Sequence, residues 1–198
     1  SRTRKGDVMR RRTFLPLLVL LLSVGLSTAA EPTWKAGLAR INITPQEALW
    51  MAGFGGRNHA AEGKLHDLWV KILVLEAADG QHALILTSDV CGISKITYDT
   101  LCETLQQRFG LTRAQIRFTY SHTHSGPALR ECLQDYQAWD EQARNRSTEY
   151  TLALEKAIVE HVALALADMQ PVTVEATEGT AEFGVNRRNN EERRIHEL

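Results

Sequence analysis

The sequence has little cysteine, no surplus of positive charge and no hydrophobic run long enough to cross a membrane as a helix. Its 198 residues include three cysteines, without the paired spacing of a zinc knuckle or the density of a disulfide scaffold. At most one disulfide can therefore form. The formal net charge of -1 leaves no basic surplus of the kind that neutralises phosphates, so we expect no nucleic-acid partner. With 43% hydrophobic and 24% charged residues, the composition is that of one globular domain.

The first 30 residues have the pattern of an export signal. From Met9 the chain has an arginine run, then an apolar run from Phe14 to Leu26, then small residues up to Ala30. This is the order of a secretory signal peptide, and its apolar run is shorter than the roughly 20 residues of a membrane-spanning helix. We expect a secreted or periplasmic protein and exclude residues 1–8, upstream of the methionine, from the fold. A twin-arginine signal and, less favoured, a permanent anchor are the alternatives.

The remaining residues, 31–198, have the pattern of a single α/β domain. Alternating or branched apolar residues predict strands at 34–43, 69–76, 82–87 and 115–121. Helical spacing of apolar residues predicts helices at 95–109 and 146–169. Closing strands are expected at 172–177 and 183–185. Because strands and helices are mixed along the chain, we expect mixed β-sheet layers packed with helices.

The stretch 121–127, Ser-His-Thr-His-Ser-Gly-Pro, places two histidines where a strand meets a turn. Residues two apart in a strand point to the same face, so His122 and His124 can address one site. One imidazole would be a metal ligand, and the other a neighbour, a proton carrier or a second ligand. A zinc ion there would acidify a water molecule and polarise a carbonyl, which is the chemistry of an amide hydrolase. From spacing alone, the alternative is a surface turn that contains two histidines by chance.

Several other side chains are weaker candidates for the same site. Asp89 ends an apolar strand, and its carboxylate either orients a ligand histidine or caps the following turn. His59 and His66 lie in or beside the glycine-rich loop 51–67, but loop histidines are more often free. We expect structural or solvent roles for the remaining histidines, His82, His161 and His196.

The histidine stretch resembles the Thr-His-Thr-His-Ser-Gly-Pro segment of neutral/alkaline ceramidases, with Ser121 in place of the first threonine. Other segments resemble parts of that family in matching order: 34–45 its opening strand, 51–54 its Met-Gly-Tyr loop, 68–75 and 84–92 its hairpin, and 183–187 a later Asn-Arg turn. The resemblance covers nearly the whole mature chain and is most specific in the histidine stretch. It implies that residues 31–198 are a ceramidase-like amino-terminal α/β domain, truncated at its carboxyl end.

The resemblance also implies an activity, a cofactor and residue roles. It implies zinc-dependent hydrolysis of a lipid-like N-acyl amide such as ceramide, with membrane-surface contact through the substrate. His122 would be a zinc ligand, His124 either a catalytic histidine beside the metal or one that contacts the metal's ligands, and Arg187 a substrate contact. From its charged surroundings alone, Arg187 would be a solvated arginine.

The family's remaining zinc ligands and its serine nucleophile belong to later motifs that these 198 residues do not contain. We therefore expect the chain by itself to bind zinc weakly and to be inactive. The turn 186–189, Asn-Arg-Arg-Asn, also lacks the Ser-Pro that follows the arginine in better-known members. These departures leave a second hypothesis open, in which the chain is a non-catalytic exported module that binds a ligand.

Overall fold

The computed structural model describes residues 34–132, 137 and 139–181. The predicted signal peptide, the predicted strand at 183–185 and Arg187 lie outside these residues. In chain order the elements are β1 (Trp34–Asn42), β2 (Trp69–Glu76), β3 (His82–Ser88), α1 (Lys95–Phe109), β4 (Ile116–Tyr120), α2 (Glu141–Ala167) and β5 (Gln170–Val172). A short 3-10 helix, Arg113–Gln115, precedes β4.

The strands form one mixed sheet in the order β4-β3-β2-β1-β5. Antiparallel pairing joins β1 to β2, β2 to β3 and β1 to β5. The last pair, β3 and β4, is parallel, and α1 makes the crossover that parallel strands require. This arrangement confirms the predicted α/β class and the predicted hairpin. It also brings the carboxyl ends of β3 and β4 to the same edge of the sheet.

One face of the sheet and the two helices form the main hydrophobic core. On β2, Val70, Ile72 and Val74 are buried and share this face because side chains two apart in a strand point the same way. They belong to one cluster with Leu105 of α1 and Val162 of α2. Each such side chain contributes about 1.5–3 kcal/mol when it is fully buried, so the core fixes the sheet against the helices.

The helix boundaries follow from local capping. Helix α1 has the predicted bounds, because Ser94 accepts the backbone N–H of Thr97 at its start and Gly110 takes a left-handed φ of 70° at its end. Helix α2 begins earlier than the predicted residue 146. The carboxylate of Asp140 accepts the N–H of Ala143 at 2.7 Å and so starts the helix at Glu141.

The predicted strand at 172–177 is wrong beyond Val172. Strand β5 lies at the edge of the sheet, and its pairs among the described residues are with Trp34, Lys35 and Ala36 of β1. Pro171 is tolerated there because an edge strand can spare a backbone donor.

The three cysteines are free. Within the part of the chain that the structure describes, no helix has both the length and the hydrophobicity of a membrane span.

Candidate metal site

Three side chains with metal-binding chemistry meet at the edge of the sheet where β3 and β4 end. The last parallel pair is Ser88 with Tyr120, so Cys91 and His122 follow their strands at the same edge. One potential ligand atom each from Cys91, His122 and His124 lies within 4.8 Å of the other two. The carboxyl edge of parallel strands is where open α/β sheets commonly bind ligands.

A pocket of about 190 Å³ opens on this group. Its wall consists of the three side chains together with Gly53, Phe54, Gly55 and Gln137. Cys91 is buried, His124 is half-buried and His122 is exposed. The pocket is therefore closed beneath the thiol and open beside His122.

The orientation of His122 leaves one ring nitrogen available for a ligand. Its Nδ1 lies 2.6 Å from the carbonyl oxygen of Cys91. A carbonyl can only accept, so Nδ1 carries the proton and the lone pair of the neutral ring is on Nε2. Metal-binding histidines commonly donate their other N–H to a carbonyl in this way. His122 also has a φ of 55°, an uncommon value that costs backbone energy and is found more often at functional sites.

His124 is held by contacts on both sides of its ring. The ring meets Phe54 edge-on, with centroids 4.7 Å apart and planes at 85°, and His122 at 5.1 Å and 69°. Gly53 has a φ of 100°, and a Cβ on this residue would lie 2.3 Å from the Cγ of His124. The ring can occupy this position only because residue 53 is glycine. Arg57 donates from Nη2 to the His124 carbonyl at 2.6 Å and so fixes the backbone.

Two buried or half-buried polar side chains hold the glycine-rich loop against the histidine turn. Arg57 donates to the carbonyl of Met51 at 3.2 Å, and Gln137 donates to the carbonyls of Met51 and Phe54 at 3.0 Å each. A β-bridge between Met51 and Pro127 joins the loop directly to the turn. Sequence reasoning missed Arg57 and Gln137, because each of them binds a carbonyl that is far away along the chain.

Cys91 was considered from the sequence only for disulfide pairing, yet it lies at the centre of the group. Its Sγ is 3.6 Å from Nδ1 of His122. Burial raises the pKa of the Cys91 thiol, and the positive charge of Arg57 partly opposes that rise. Cys91 follows β3, and His122 follows the parallel neighbouring strand β4, so both residues lie at the same edge of the sheet. This shared edge is the signal that could have identified Cys91.

The other predicted residues lie around this group or outside the described residues. The carboxylate of Asp89 accepts the N–H of Trp69 at 3.0 Å, so this side chain fastens the end of β3 to β2. Whether it also orients a histidine stays a prediction. Among the described residues, the group with metal-binding spacing includes neither His59 nor His66. The role of Arg187 also stays a prediction, since it lies beyond the described range.

The fold and the site define an α/β unit with a candidate metal site at the carboxyl edge of its parallel strands. The chain is similar in structure to the neutral ceramidase from Pseudomonas aeruginosa, with a TM-score of 0.57 and 22% identity over 72% of this chain and 23% of that one. It is also similar to a ceramidase complexed with C2, with a TM-score of 0.53 and 22% identity over 71% of this chain and 22% of that one.

The chain thus spans less than a quarter of the length of each of these ceramidases. No protein-family model and no curated protein sequence matches the chain. The structural likeness confirms the predicted fold, a partial ceramidase-like α/β domain.

Proposed function

We propose that this chain is part of a zinc-dependent hydrolase that cleaves an N-acyl amide bond of the ceramide type. The observation that carries the proposal is the pair His122 and His124 beside one pocket, with Nδ1 of His122 donating to a carbonyl so that Nε2 is free. Imidazole nitrogen is a preferred ligand of zinc. The ceramidase fold of the two solved neighbours supports the same reaction class.

The proposed roles follow from how the two rings are held. His122 binds zinc through Nε2, and the Cys91 carbonyl keeps its ring in the required tautomer. Zinc, when bound, polarises the amide carbonyl and lowers the pKa of water towards about 7. His124 moves protons between water and the leaving amine. An imidazole suits this role because its ordinary pKa of about 6.5 is close to neutral pH.

The size of the pocket indicates which part of the substrate it receives. At about 190 Å³ it is smaller than the roughly 300–1,000 Å³ of pockets that enclose a drug-sized ligand. We infer that it takes the amide group, with Phe54 at its exposed lip against the first carbons of the acyl chain. Arg187 would hold a substrate oxygen through its fork of donors. The predicted export signal would deliver the protein to lipid at a membrane surface outside the cytoplasm.

The test is to measure zinc content and fatty-acid release from a ceramide-type amide with the complete protein that contains these residues. We expect one zinc per molecule, the loss of both zinc and turnover in His122→Ala, and lower turnover with retained zinc in His124→Gln. His161→Gln is the matched control, because Nδ1 of His161 forms its hydrogen bond inside α2, with the carbonyl of Ala157. A complete protein that holds no zinc and releases no fatty acid would favour the non-catalytic exported module instead.

A further inference from the structure

A third donor lies beside the two histidines, and its chemistry differs from theirs. Cys91 is 3% exposed, and its side chain forms part of the pocket wall with His122 and His124. Asp89, the nearest acidic residue along the chain, has a carboxylate that accepts a backbone N–H of β2. Cys91 is therefore the side chain of the described group that can bring a negative charge to a metal ion.

We propose that the Cys91 thiolate is a ligand of the same metal ion as His122. This inference rests on the proposed function, because it concerns the metal of that site. It adds a ligand that neither the histidine stretch nor the resemblance assigns. His124 lies within the same 4.8 Å and keeps its role in proton transfer.

A shared metal ion requires the side chain of Cys91 to move. In a tetrahedral zinc site with bonds of about 2.3 Å to sulfur and about 2.0 Å to nitrogen, the two ligand atoms are about 3.6 Å apart. Sγ of Cys91 lies 3.6 Å from Nδ1 of His122, the protonated nitrogen, whereas the proposed ligand atom of His122 is Nε2, so the thiol has to move towards the Nε2 side of the ring. A change between staggered rotamers of a cysteine moves its sulfur by about 3 Å, and a change of this kind is the adjustment that the proposal requires.

The chemistry of the donor set also fits. Thiolate with imidazole is a common ligand combination for zinc, and thiolate disfavours magnesium and calcium, which prefer oxygen. A second ligand from this chain, and an anionic one, would bind metal more tightly than one neutral imidazole. The exposed side of His122 leaves room for water or for ligands from elsewhere in a longer protein.

The alternative is that Cys91 is a small core residue. It packs in a cluster with Ala52, Ala128, Trp139 and Ala143 and would then contribute only packing. A thiol that only packs leaves no spectroscopic signature on a metal in the pocket, whereas a thiolate ligand does. Cobalt(II) separates the two cases, because a cobalt–thiolate bond gives an intense near-ultraviolet charge-transfer band that imidazole and oxygen ligands lack.

The experiment is a cobalt(II) titration of the full chain followed by absorbance, with Cys91→Ser and with Cys132→Ser as a matched half-buried cysteine control. We expect the charge-transfer band in the wild type and in Cys132→Ser, and its absence in Cys91→Ser. Cobalt affinity should fall in Cys91→Ser by more than the roughly 10- to 100-fold that the loss of an outer contact costs. Far-ultraviolet circular dichroism checks that each variant is folded.

Other outcomes would overturn the inference. If wild-type chain binds cobalt with ligand-field bands alone, Cys91 is not a ligand, while the His122 site of the proposed function stands. If the band persists in Cys91→Ser or disappears in Cys132→Ser, a different thiol binds the metal. If the wild-type chain takes up no cobalt, the inference fails, and the zinc and amide-hydrolysis assays of the complete protein judge the proposed function separately.

Discussion

Replacing Gly53 with alanine is expected to displace the imidazole of His124. The new Cβ would lie 2.3 Å from Cγ of that ring, and ordinary contact begins at 3.4 Å, so the ring must retreat by about 1 Å. The φ of 100° adds about 1–2 kcal/mol of backbone strain for a residue with a Cβ, and overpacking adds about 1–3 kcal/mol. We expect Gly53→Ala to lower the free energy of unfolding by about 2–5 kcal/mol.

The same change should impair the proposed reaction. A misplacement of about 1 Å in a reacting group can lower the rate by about 100-fold, so turnover of the amide substrate should fall on that scale. Urea denaturation measures the stability change, and fatty-acid release measures the rate. Gly56→Ala is the control from the same loop, because a Cβ there meets no atom within 4 Å. Wild-type stability and turnover in Gly53→Ala would refute the packing of this loop on His124.

Three further predictions concern hydrogen bonds that join distant segments. Arg57→Lys replaces a fork of donors with one ammonium group, loosens the backbone of His124 and should lower turnover of the amide substrate by about 10- to 100-fold, measured by fatty-acid release. Arg130→Ala leaves Glu155, whose side chain is 9% exposed, without its 2.7 Å partner. Its unfolding free energy should fall by about 2–3 kcal/mol, less than for a fully buried pair because Arg130 is 18% exposed. Burial raises the pKa of Tyr150, whose hydroxyl donates to the Ile43 carbonyl. The unfolded chain loses this proton near pH 10 and the folded chain retains it, so stability should fall above pH 10 by about 1.4 kcal/mol per pH unit.

Each of these predictions has a control. Arg117→Lys changes an exposed arginine of β4 and should leave turnover unchanged. Lys156→Ala removes an exposed helical pair and should cost less than about 0.5 kcal/mol in urea. Tyr150→Phe should lose the part of the alkaline decline that Tyr150 causes. An equal decline above pH 10 in Tyr150→Phe would assign it to another group, and equal costs for Arg130→Ala and Lys156→Ala would contradict the buried pair.

The sequence predicted best the parts of the fold that neighbouring residues determine. The hairpin between β2 and β3 and the bounds of α1 follow from turn residues, alternation and caps within a few positions. The start of α2 was missed because the cap at Asp140 precedes the apolar pattern by several residues. The end of β5 was missed because the apolar pattern of 172–177 carries no information about which of its residues find a partner strand.

The candidate site also has one part that the sequence predicts and another that it does not. The two histidines were predicted from one short stretch, since strand geometry places residues two apart on one face. Arg57 and Gln137 could not be predicted, because the contacts that tie them to the site reach carbonyls 67 and 86 residues away along the chain. An arginine in a loop is usually solvated, and only the folded chain shows three carbonyls around this one.

By itself the sequence determined the α/β class, the two histidines and the resemblance to ceramidases, because each depends on residue types at short spacing. Only the tertiary structure decided that Cys91 faces those histidines, that its carbonyl sets the tautomer of His122, and that Gly53 makes room for the ring of His124. These relations depend on the register of two parallel strands and on a loop folded back over their ends. Hydrogen bonds and close packing between distant segments leave no recognisable residue pattern in a sequence. They can therefore be seen only in the folded structure.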